Sequence, residues 1–119
     1  MAYFWIFIGG GAGSMARYAL SWHFNKLEAW PWGTLLANSL SCILLGILTA
    51  LLSRQLLSIE MRLLLITGFC GGFSTFSTFS NDILQMWKLN QQGMALAYMT
   101  ISLLSGVAAL VLGMKLANG

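Results

Sequence analysis

Acidic residues are nearly missing from this 119-residue chain: it has three, against six lysines and arginines, one histidine, one proline and two cysteines. Charged residues make up 8% of it, where a soluble domain carries about a quarter. With so little charge and 58% hydrophobic residues, a water-soluble monomer is not expected. Asp82 is the sole acid of its segment and His23 lies at the edge of another. Neither a paired-carboxylate mechanism nor a serine with its base can be assembled, so the chain is not expected to be an enzyme. Cys42 and Cys70 stand singly inside apolar segments, without Cys-x-x-Cys spacing, and read as structural cysteines rather than a metal or redox site. The basic residues are scattered one by one, which gives nucleic acid no patch to bind.

What remains is hydrocarbon. Four apolar segments predict spans at about 2–22, 32–53, 62–87 and 94–115, each supplying the roughly 20 residues a bilayer-crossing helix needs. The fold class is therefore an all-α membrane protein with four transmembrane helices in a single domain, and the lipid bilayer is its surroundings. The first segment has no positive n-region and carries Trp5 and a glycine cluster, so it reads as a retained helix rather than a signal peptide. Trp5, Trp22, Trp30, Trp32 and Trp87 all fall near span ends, where aromatic belts meet headgroups. The connections are short: Phe24 to Pro31, Arg54 to Arg62 and Lys88 to Gly93. Arg54, Arg62 and Lys115 would lie on one side, Arg17, Lys26 and Lys88 toward the other. Three against three gives insertion little instruction, which leaves open a weak single orientation or insertion both ways with antiparallel self-pairing. Four helices fill their own interior with side chains, so a conduit requires at least a dimer.

Polar residues inside these spans carry the functional signal. In the first, Gly9-x-x-x-Gly13 is a close-packing motif; Gly11-x-Gly13-x-x-Ala16 imitates a dinucleotide fingerprint without its strand or acid. Arg17 follows one turn on, able to snorkel or to face a polar cavity. Thr34, Asn38 and Ser41 recur at i, i+4 and i+7 in the second span, and Tyr98, Ser102 and Ser105 repeat that spacing in the fourth. The third holds Gly68-Phe-Cys-Gly-Gly-Phe-Ser-Thr-Phe-Ser-Thr-Phe79. Backbone that leaves the helix at that depth survives only when buried in protein or lining a cavity, so this span is expected to break near its middle, at Gly71-Gly72. Carbonyls freed there could hold one cation. Phe73, Phe76 and Phe79 alternate with Ser74, Thr75, Ser77, Thr78 and Ser80. Ring edges are the positive part of the aromatic quadrupole, so a small anion could lie against them while hydroxyls and the Asn38 amide donate to it. A packing face with hydroxyls bonded back to their own helix is the other reading.

Three stretches, Gly9 to Tyr18, Gly33 to Asn38 and Gly68 to Phe79, together resemble the CrcB/Fluc family of small bacterial fluoride channels. The resemblance implies a dual-topology antiparallel homodimer in the bacterial plasma (inner) membrane, with two pores that passively export cytoplasmic fluoride. It implies Phe76 and Phe79 as pore phenylalanines and Asn38 as the pore amide. Ser77, Thr78, Ser80, Tyr98, Ser102 and Thr34 would complete the polar lining, with Arg17 and Asp82 in the vestibules. It further implies a structural sodium ion at the dimer centre, held by the backbone carbonyls of Gly71 and Ser74. Ser74 stands where the family usually has threonine, Ser41 where it has glycine and Asp82 where it has glutamate. A proton-coupled multidrug transporter of the four-helix type shares the length and span count, but it needs a carboxylate in its chamber. Asp82, near a span end, is the one candidate.

Overall fold

The computed structural model describes residues 1–24 and 30–118. Residues 25–29, with Lys26 and most of the first connection, lie outside the described residues. Helices α1 (Ala2–Phe24) and α2 (Trp32–Ser53) are followed by an interrupted rod. That rod begins as α3 (Ile59–Met61), continues as a nine-residue π-helix (Arg62–Cys70) and α4 (Gly71–Phe73), breaks, and resumes as α5 (Phe76–Lys88). Helix α6 (Gln92–Asn118) closes the chain. No strand occurs among the described residues.

Among the described residues three stretches are long and apolar enough to cross a membrane: Trp32–Ser53, Ile59–Lys88 and Gln92–Asn118. Helix α1, 23 residues long, is not among them, because glycines and Arg17 stand where the others have aliphatic side chains. The connections have local causes. Ser58 caps α3, its hydroxyl accepting from the Met61 N–H at 3.1 Å. Gln55 and Asn90 take left-handed backbone (φ 58° and 59°), which turns the chain between rods.

Two seams hold the rods together: α2 lies along α6, and α1 along the π-helix and α4. The α1 seam explains its glycines. A Cβ on Gly9 would fall on the Leu64 carbonyl oxygen, and one on Gly13 on the Phe69 carbonyl oxygen. Backbone meets backbone there, as small-residue motifs allow.

Candidate functional site

The break lies at Ser74 and Thr75, not at the glycine pair where helix-breaking tendency had put it. Gly71 keeps helical dihedrals (φ −64°, ψ −34°), whereas Ser74 and Thr75 are extended (ψ 153° and 124°). Gly72 serves packing instead, since a Cβ on it would strike the Gly10 carbonyl. Side chains replace the interrupted ladder. The Thr75 N–H, which in a continuous helix would go to the Gly71 carbonyl, donates to Asn38 Oδ1 at 3.0 Å. The Thr78 N–H, whose helical partner would be the Ser74 carbonyl, donates to Thr75 Oγ1 at 3.3 Å, so Thr75 caps α5. Arg17 Nε donates to the Gly72 carbonyl at 3.2 Å. The Cys70 carbonyl accepts from the Ser74 N–H (3.1 Å), Ser74 Oγ (2.8 Å) and Ser41 Oγ (3.3 Å).

Beside the break runs an open groove of about 550 Å³ between α2, α5 and α6, lined by Asn38, Cys42, Phe76, Phe79, Ser80, Ile83, Met99, Ser102, Leu103 and Gly106. A smaller hollow of about 210 Å³ adjoins it at Asn38, Phe76 and Phe79 and reaches Ser74 and Thr75. A backbone N–H can only donate, so its bond to Asn38 fixes the amide: the oxygen faces Thr75, leaving the NH₂ for the groove. The Phe76 and Phe79 rings lie 6.2 Å apart, tilted at 46°, and Phe76 is 80% exposed. Ser102 Oγ is buried with no hydrogen-bond partner among the described residues. Among the described residues no carboxylate lines the groove.

Other residues singled out from the sequence sit elsewhere. Tyr98, fully buried, donates its hydroxyl to Asp82 Oδ2 at 3.0 Å and packs its ring 5.1 Å from Phe79 and 5.7 Å from Trp30. Thr34, also buried, lies beside that pair. Ser77 and Thr78 gather around Thr75, with Ser77 Oγ 3.1 Å and Thr78 Oγ1 3.4 Å from its hydroxyl, rather than lining the groove. Arg17 is engaged at the helix break. The i, i+4, i+7 row of α2 therefore divides: Asn38 bonds to Thr75 and Ser41 to Cys70, while Thr34 Oγ1 is buried with no hydrogen-bond partner among the described residues. One contact had no counterpart in the sequence reading: Ser39 Oγ meets Ser105 Oγ at 3.3 Å, joining α2 to α6.

Membrane-length helices, a rod interrupted among hydroxyls, and a groove lined by aromatic rings and uncharged polar groups define a small multi-pass membrane protein. Residues 4–114 match the family model described as CrcB-like protein, Camphor Resistance (CrcB), and the chain belongs to that family. It is 43% identical over 110 residues to the fluoride-specific ion channel FluC of Phocaeicola vulgatus, covering 91% of each chain. The proteins of the same name from Bacteroides fragilis (42% identical, 92% of this chain and 90% of that one) and Agrobacterium fabrum (40%, 91% and 89%) are similarly close.

Proposed function

We propose that this protein is a fluoride channel that lets cytoplasmic fluoride leave passively, without an energy-coupling residue. The observation that carries the reading is the groove: the Asn38 amide donor, the Phe76 and Phe79 rings and the Ser80 hydroxyl meet in one place beside Ser102, and none of the described lining residues is a carboxylate. Such a surface supplies donors and ring edges to a small anion and offers a cation no carboxylate among the described residues. Tyr98 packs against Phe79 from the buried side, backing the track. Multidrug antiport is disfavoured because Asp82, its candidate carboxylate, is engaged by Tyr98 away from the groove.

A single subunit leaves Phe76 exposed and the groove open. The functional unit is then a homodimer, antiparallel in keeping with the balanced loop charges, in the bacterial inner membrane, each of its two pores completed by the partner. A sodium ion at its centre fits the break: the Thr75 and Thr78 N–H groups, helical partners of the Gly71 and Ser74 carbonyls, are both taken by side chains. Gly71 is exposed, with open space around its Cα. Those two oxygens from each subunit would hold the ion, which would supply charge to lock the two breaks together.

Liposome efflux tests the function. Purified protein should release fluoride and retain chloride, and equal release of both ions would refute the proposal. Crosslinking of single-cysteine variants across the expected antiparallel interface tests the assembly.

A further inference from the structure

The consecutive carbonyls of Cys70, Gly71 and Gly72 meet different fates. The first accepts from the Ser74 N–H and Oγ of its own rod and is tied from α2 by Ser41, a residue 3% exposed; the third is tied from α1 by Arg17. Between them the Gly71 carbonyl has lost its helical donor, Thr75, to Asn38. We propose that Arg17 and Ser41 are positioning residues for the cation site: a brace from two helices that aims the Gly71 carbonyl outward and keeps its neighbours from competing for the ion.

The inference rests on the sodium reading and adds two residues to it. Neither would touch the ion. Each acts by fixing a peptide plane: with the oxygens of Cys70 and Gly72 held, the intervening peptide has little freedom to rotate, so the Gly71 oxygen is ordered before a cation arrives. Preorganisation of this kind raises affinity by removing an ordering cost that would otherwise fall on binding. Arg17 contributes geometry besides charge, because the bond is made by Nε, a donor fixed in the guanidinium plane that lysine lacks.

Thermal melting of the purified full-length protein, titrated with sodium chloride against N-methyl-D-glucamine chloride at constant ionic strength, tests both layers. Wild type should melt higher with sodium, as a ligand-linked transition does. Ser41→Ala, a change small enough to keep the fold, should raise the sodium concentration for half-maximal stabilisation by about three- to tenfold, the equivalent of one hydrogen bond's net worth. Arg17→Gln and Arg17→Lys should shift it at least as far. An unchanged midpoint in Ser41→Ala overturns the brace, and so does a melting temperature lowered equally with and without sodium. Wild type indifferent to sodium overturns the sodium reading beneath it.

Discussion

Replacing Gly13 by alanine adds one methyl group where α1 crosses the π-helix. That carbon would fall on the Phe69 carbonyl oxygen, 2.8 Å from the Phe73 nitrogen and 3.1 Å from the Phe69 carbonyl carbon. Non-bonded atoms settle at roughly 3.5 Å or more, and all three obstacles are backbone, so no rotamer change relieves them. Helix α1 must retreat by the order of an ångström. Overpacking of this kind costs about 1–3 kcal/mol. Arg17 lies one turn further along the same helix and holds Gly72 at 3.2 Å; a retreat breaks that contact, and a hydrogen bond to a charged group is worth about 1.5–3 kcal/mol. The sum is about 2.5–6 kcal/mol, enough to lower the melting temperature by the order of 10 °C or more. Gly93→Ala is the control, since nothing lies within 4 Å of its added carbon. Melting of the detergent-purified protein, followed by tryptophan fluorescence, reads both variants. Gly13→Ala melting within about a degree or two of wild type would refute the backbone-to-backbone approach of α1 at this seam.

Three further outcomes are expected. Asn38→Asp keeps an acceptor for the Thr75 N–H but turns the groove's donor into a carboxylate that repels an anion; a hydrogen bond to a charged group is worth about 1.5–3 kcal/mol, so fluoride efflux should fall at least about tenfold while the protein stays folded, and efflux within about threefold of wild type refutes the amide's role. Ser105→Ala and Ser39→Ala each remove the α2–α6 hydroxyl contact and should cost about 0.6 kcal/mol apiece, with the double variant no worse than either single one; a double-mutant cycle on unfolding in detergent checks this. Gln55→Gly relieves a left-handed residue at φ 58° and should stabilise by up to about 1 kcal/mol; a lower melting temperature would mean that the Gln55 side chain matters to the turn.

How much could be read from the sequence depends on how local the cause was. Span lengths and the interruption of the third rod follow from composition over 20 residues, a local property. The position of the interruption does not. Glycine's tendency to break helices pointed at Gly71-Gly72, yet those residues stay helical because Gly72 lies against Gly10, and the ladder opens where Asn38, 37 residues away in the chain, captures a backbone N–H. The π-helix is equally invisible in the sequence, and it is the stretch that lies along α1. The polar row of α2 is legible as a row, but spacing places residues on a face and cannot say which neighbour each of them meets, as Asn38 meets Thr75 and Ser41 meets Cys70. Ser39 gave a faint signal, a hydroxyl at the depth of Ser105 on another apolar helix, too common a pattern to single out.

The break also sets the electrical landscape. Helix α5 begins at Phe76, a groove-lining residue, so its first turn presents the positive pole of the peptide dipoles, equivalent to roughly half an elementary charge, at the depth of the bilayer where a bare ion is least welcome. Partial charge of this origin belongs to the backbone. It does not titrate, it brings no counter-ion with it, and it is too small to trap an anion permanently. A permeating ion would meet the same field at any pH the fold survives, and each rod that stopped halfway would act as a fixed electrode.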